Sequence, residues 1–287
     1  MELAPTSSAP PALAGNDWPA WTAPVALVAA FVLSAVGAAA VDIPAAILGA
    51  NITTSKLPPG LVLADTVVQD LAFVAAAVLC ARFGARAVHA WQFGLRPTRL
   101  SWRRAALAVP GVYVAFLLFA LVWSAAVGSS TEQNLLEDLG TNETTLLLIM
   151  SALLTTVIAP ICEELLFRGY IFAALSKWKG WLVGAVLTGV LFGAVHATSS
   201  PAVDLVPLAV LGFLLCVLYR QTGSLYPCIA AHALNNSIAF GVMEHWDWQL
   251  AVLILAALST IASLAVLLAR VGVISVVSTE EIIPSGS

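Results

Sequence analysis

The chain has 287 residues, of which 60% are hydrophobic and only 10% charged, and its net charge is −4. An ordinary soluble domain carries roughly 25% charged residues. This composition excludes a soluble globular protein, and the net negative charge offers nothing to nucleic acid.

In chain order, the opening residues MELAPTSSAPPALAGNDWPA are rich in Pro, Ala and Ser and lack a basic start. Residues 1–22 read as a disordered cytoplasmic arm, not a cleaved signal peptide. Eight apolar stretches follow: Pro24–Ala50, Leu61–Ala81, Ala105–Val127, Thr144–Ile161, Trp181–Val195, Asp204–Tyr219, Leu225–Met243 and Leu250–Ala269. Each is apolar all round, as a helix facing lipid must be. The expected fold is an all-α polytopic membrane bundle of about eight transmembrane helices. It occupies residues 23–273, with a cytoplasmic tail at 274–287.

The basic residues set the orientation. The loop after the second stretch carries Arg82, Arg86, Arg96, Arg99, Arg103 and Arg104, and later turns carry Lys177, Lys179, Arg220 and Arg270. With both termini in the cytoplasm, all of these lie inside and Lys56 alone lies outside, apart from Arg168, which lies within APICEELLFRGYIF. The outer loop from Gly128 to Glu143 is then acidic, with Glu132, Glu137, Asp138 and Glu143. Cys80, Cys162, Cys216 and Cys228 fall in or beside the stretches without metal-type spacing and read as small apolar fillers.

Three polar clusters interrupt the second half, and an ionisable group in a span costs about 2.5–3.5 kcal/mol on insertion scales. Glu163, Glu164 and Arg168 lie in APICEELLFRGYIF, Phe192 and His196 in FGAVH, and His232 and Asn236 in HALNN. Each four-residue spacing puts its pair on one helical face. Glu163 precedes a turn near Trp178 by 15 residues and His196 follows it by 18. At about 1.5 Å per residue the two reach nearly the same depth. His232 joins them if the first hairpin projects further into the cytoplasm, which Lys177 and Lys179 favour.

Two chemistries fit these residues. Glu163, His196 and His232 match a zinc site with an open position for water. Without a metal, a carboxylate and a His activate water while a second His and an Asn stabilise an oxyanion. Either route hydrolyses an amide, and the Asn favours the metal-free one, which needs no cofactor.

EELLFRG resembles the EExxxR motif of the CAAX protease and bacteriocin-processing (CPBP, or Abi) family of intramembrane proteases. FGAVH resembles that family's FxxxH motif and HALNN its HxxxN motif, in the same order, over residues 144–243. The family includes the type II CAAX prenyl endopeptidases and bacterial members linked to bacteriocin immunity and maturation. The resemblance implies an intramembrane endopeptidase acting on lipidated or membrane-bound peptides or proteins within the bilayer. It implies that Glu163 activates the water with help from His196, that His232 and Asn236 line the oxyanion site, and that Glu164 pairs with Arg168 to position the helix end. The Ala-rich composition fits a bacterial inner membrane.

Two other classes compete. Asp42, Asp65, Asp70 and Asp204 lie in or near spans and would serve an ion- or proton-coupled transporter. They read more simply as span-end residues wetted by the outer surface. A catalytically silent immunity or scaffold protein would carry the motifs without turnover.

Overall fold

The computed structural model describes residues 18–52, 57–83, 88–128 and 138–270. The expected arm up to residue 17, the tail at 274–287, and Lys56, Arg86, Glu132 and Glu137 lie outside the described residues.

Eight helices make up the described chain: α1 (Thr22–Ile47), α2 (Pro59–Ala81), α3 (Trp102–Val127), α4 (Thr145–Lys179), α5 (Trp181–Val195), α6 (Leu205–Thr222), α7 (Tyr226–Met243) and α8 (Trp248–Arg270). Short 3₁₀ turns at Ala90–Phe93, His196–Thr198 and Ala202–Asp204 join them. The polarity is inverted relative to a soluble protein. Phe31, Val36, Leu118, Leu121, Leu255 and Leu267 are exposed, while Asp70, Glu164, Arg168 and His232 are buried. Lipid on the outside accounts for both halves of that pattern. The molecule is an all-α, multi-pass membrane bundle.

Six of the helices are long and apolar enough to cross a membrane. The expectation of about eight spans is therefore met only in the number of helices. Helix α5 has 15 residues, about 22 Å at the usual rise, against a hydrocarbon core of about 30 Å. Helix α7 is diluted by His232, Asn235 and Asn236. The fourth span also differs from expectation. It does not stop near Ile161 but runs unbroken through EELLFRG to Lys179. Thr144 caps its start by accepting from the Leu147 N–H.

Within α4 the backbone widens twice into π-helical turns, at Leu154–Ile158 and Leu165–Phe172. Proline accounts for part of the first. Ala159 N–H bonds the Leu154 carbonyl five residues back, and the next N–H in that register would come from residue 160. That residue is Pro160, which has no N–H. The Thr155 carbonyl is thereby left for a side chain of another helix. Such widenings are frequent at functional sites.

Small residues bring the second half together. Gly180 (φ 86°) turns α4 into α5. Gly189 and Gly193 then let the α5 backbone press against α6. A Cβ on Gly189 would stand 2.6 Å from the Ala209 carbonyl oxygen, and one on Gly193 2.5 Å from that of Leu205. This is the small-xxx-small packing of membrane helices. The start of α7 is fixed from the other side. Leu225 N–H donates to Gly94 O at 2.8 Å, Arg96 Nε to Gly223 O at 2.8 Å, and Ser224 Oγ to Arg96 O at 2.6 Å.

Gly189→Val should force α5 off α6, because its nearest neighbours are rigid backbone atoms. Overpacking of this kind costs about 1–3 kcal/mol. The expected outcome is a lower melting temperature in detergent, whereas Gly111→Val on α3, where a Cβ would meet nothing within 4 Å, should shift it much less.

Candidate active site

The site is built around a buried guanidinium. Arg168 on α4 is fully buried, and its Nη1 donates to Glu164 Oε1 at 2.7 Å, one turn back on the same helix. Its Nη2 donates to the Gly212 carbonyl on α6 at 3.1 Å. Its central carbon stands 4.5 Å from the centre of the Phe192 ring on α5. Gly212 is itself pressed on Phe192, since a Cβ there would lie 2.9 Å from the Phe192 Cβ. The guanidinium thus pins α4, α5 and α6 at one depth by charge, hydrogen bond and π-face.

Glu164 has a second partner. His232 on α7 places Nδ1 2.8 Å from the same Oε1. A carboxylate only accepts, so Nδ1 carries the hydrogen, and the ring is held with Nε2 on its far side. That Nε2 stands 3.9 Å from Glu163 Oε2. The gap is too long for a direct hydrogen bond and of the size that one shared water closes. Glu163 Oε2 is buried and has no hydrogen-bond partner among the described residues. Its side chain as a whole keeps 12% exposure, against 0% for Glu164.

His196 follows the last turn of α5. Its Nδ1 lies 2.7 Å from the Phe192 carbonyl, so Nδ1 donates and Nε2 is left as the basic nitrogen. Phe192 stands between the two histidines, 4.9 Å from the His196 ring and 5.5 Å from that of His232. Among the described residues no hydrogen bond or ion pair joins His196 to Glu163. Asn236, one turn beyond His232, donates its amide to the Thr155 carbonyl at 2.9 Å. This is the carbonyl that Pro160 leaves open. Asn235 donates to Asn236 Oδ1 at 3.2 Å. The Asn236 amide is therefore oriented, with one N–H still to give.

The structure brings Glu163, Glu164, Arg168, Phe192 and His232 into direct contact or near it. His196 lies against the Phe192 wall, and Asn236 lies against α4. The expected Glu164–Arg168 pair is present, but in the middle of α4 and not at a helix end, because α4 continues for eleven residues to Lys179. Glu164 also has a role that spacing did not reveal, since it orients His232.

One residue was misread. Asp70 is not a wetted span-end group: it lies midway along α2 and is 1% exposed. It is within electrostatic reach of Glu163, and neither carboxylate oxygen has a partner among the described residues. The available signal was an acid in the middle of a span. Asp42, Asp65 and Asp204 are half-buried near helix ends.

Glu164 Oε1 is shared between Arg168 and His232, while His232 and His196 each keep Nε2 free. Among the described residues no three His, Cys, Asp or Glu side chains converge on a point that could hold an ion. No step below passes through a metal.

Fold and site together define a multi-pass membrane protein with a buried glutamate–histidine–arginine cluster between its helices. Residues 145–238, which hold all three motifs, match the family model described as type II CAAX prenyl endopeptidase Rce1-like. This segment is similar to the Rce1-like CAAX-protease membrane proteins that the model describes. It is 31% identical over 85 residues to YdiL of Bacillus subtilis, provisionally named a membrane peptidase, covering 30% of this chain and 34% of that one. An uncharacterised 24.3 kDa protein of Escherichia coli is 32% identical over 98 residues, covering 32% of this chain and 45% of its own. An uncharacterised protein of Mycoplasma capricolum is 26% identical over 93 residues, covering 32% and 27%. The chain thus spans about a third of the length of the first of these relatives. No solved structure matches it.

Glu164→Gln should leave the buried Arg168 charge without its counter-charge. Breaking one side of a buried pair costs about 3–5 kcal/mol. The expected outcome is a large fall in melting temperature and in folded yield. Glu163→Gln, which removes a carboxylate with no direct hydrogen bond among the described residues, should leave both near the wild-type values.

Proposed function

We propose that the protein is an intramembrane endopeptidase that hydrolyses peptide bonds with water activated by Glu163. The observation that carries this reading is the buried Glu163 Oε2, which has no hydrogen-bond partner among the described residues and faces the His232 Nε2 that Glu164 and Arg168 hold in place.

Water held at Glu163 gives its proton to the carboxylate as its oxygen attacks the scissile carbonyl carbon. His196, with Nε2 as its basic nitrogen, assists from the Phe192 side. Negative charge develops on the carbonyl oxygen, where the free Asn236 N–H and a protonated His232 Nε2 donate to it. Collapse of the tetrahedral intermediate breaks the C–N bond, and Glu163 returns the proton to the leaving amine. No Ser or Cys nucleophile is required.

The apolar surround suits a substrate that arrives through the membrane: a lipidated peptide of the CAAX type, or a membrane-bound bacteriocin-related peptide. We place the protein in a bacterial plasma membrane, with eight crossings and both termini in the cytoplasm. The short helix α5 and the polar helix α7 supply the crossings beyond the six long apolar helices. The 23–273 region would act as one catalytic domain.

Two measurements check this. With a panel of prenylated and acylated peptides, Glu163→Gln should lower kcat by about 10²–10⁴ in a folded protein, as loss of a general base does. Asn236→Ala should lower it by about 10²–10³, as loss of an oxyanion donor does. Full activity in both Glu163→Gln and His196→Ala would remove the enzyme assignment from this site. Reporter fusions after Arg104, Ser130, Lys179 and Ser199 should read inside, outside, inside, outside; an outside signal after Arg104 would overturn the topology.

A further inference from the structure

Asp70 has no place in the three motifs, yet α2 packs against the Glu163 turn of α4 and Asp70 is within electrostatic reach of Glu163. It is 1% exposed, and both its carboxylate oxygens lack a partner among the described residues. The groups that face it from α4 are Glu163 and Cys162. Asp42 of α1 interacts instead with Asp65, more than one turn nearer the start of α2. No cationic side chain is within its reach among the described residues.

An ionised carboxylate without a counter-charge or donor is untenable in such a setting. Two like charges within electrostatic reach of each other in a buried setting do not both persist, and one of the pair keeps a proton. The asymmetry of the surroundings decides which. Glu163 has residual exposure and His232 Nε2 3.9 Å away; Asp70 has neither. The negative charge belongs on Glu163 and the proton on Asp70.

We infer that Asp70 is the second carboxyl of the hydrolytic centre, a neutral acid whose O–H holds the water that Glu163 deprotonates. Its proton stays on Asp70 through the reaction. The proton that moves passes from water to Glu163 and on to the leaving amine. The inference rests on the hydrolase reading for its kinetic consequence, but not for the protonation state of Asp70.

The test uses the full chain in detergent near neutral pH, in two arms. The infrared difference spectrum of wild type minus Asp70→Asn should contain the C=O stretch of a protonated carboxyl; its absence would show an ionised Asp70 and overturn the inference. In the kinetic arm, Asp70→Asn keeps a neutral donor and should lose less in kcat than Asp70→Leu. Asp70→Leu should lose about 10–100-fold in kcat at unchanged KM, the equivalent of one hydrogen bond to a reacting group. Asp70→Leu should melt no lower than wild type, because it removes an unpartnered buried polar group. An Asp70→Asn loss as deep as that of Asp70→Leu, or a fully active Asp70→Leu, would overturn the inference. A wild type that cleaves no peptide would sink the hydrolase reading alone, and the infrared arm would still decide the proton.

Discussion

Burying a guanidinium among membrane helices is costly, and the way this chain meets that cost shapes its second half. Arg168 needs a counter-charge, a carbonyl and an aromatic face at fixed directions. It takes them from Glu164 on its own helix, Gly212 on α6 and Phe192 on α5. A carbonyl on α6 is reachable because Gly189, Gly193 and Gly212 let the α5 and α6 backbones approach. The polar cluster is therefore a packing device before it is a chemical one. Replacing such a pair by apolar residues is often neutral for stability, so stability alone does not explain it.

The surplus lies in what Glu164 does with its shared oxygen. One atom accepts from Arg168 and from His232, so the ion pair that holds the helices also fixes an imidazole. That imidazole faces Glu163, the neighbouring carboxylate, whose Oε2 has no hydrogen-bond partner among the described residues. Adjacent glutamates are thus divided in labour: Glu164 gives its Oε1 to Arg168 and His232, while Glu163, with the greater exposure, faces His232 Nε2 without a direct hydrogen bond. On a helix, consecutive residues point about 100° apart, which lets one face the packed core and the other the reaction space. The π-helical turns on either side, with Pro160 between them, set which carbonyl is left for Asn236.

Much of this was legible in the sequence because it is local. The apolar stretches, the Glu164–Arg168 pair four residues apart, and the Phe192–His196 and His232–Asn236 faces all follow from helical periodicity. What spans two helices was not legible. The His232–Glu164 bond joins residues 68 apart, and nothing in the spacing of either motif states it. Asp70 was misassigned for the same reason: its position in α2 gives its depth, but only the packing of α2 on α4 gives its neighbours. The run of α4 through its motif was missed because charged residues were read as marking the end of a span. Their mutual neutralisation is what allows the helix to continue, and Lys179 marks its end instead.

The central claim is that water attacks directly and Glu163 takes its proton, with no covalent intermediate. Cleavage of a lipidated peptide in H₂¹⁸O, followed by mass spectrometry of product and enzyme, tests this most directly. The account expects one solvent oxygen in the new C-terminal carboxylate and no label in the Glu163 side chain after many turnovers. Label accumulating in Glu163 would mean that the carboxylate itself attacks the carbonyl, and would contradict the account.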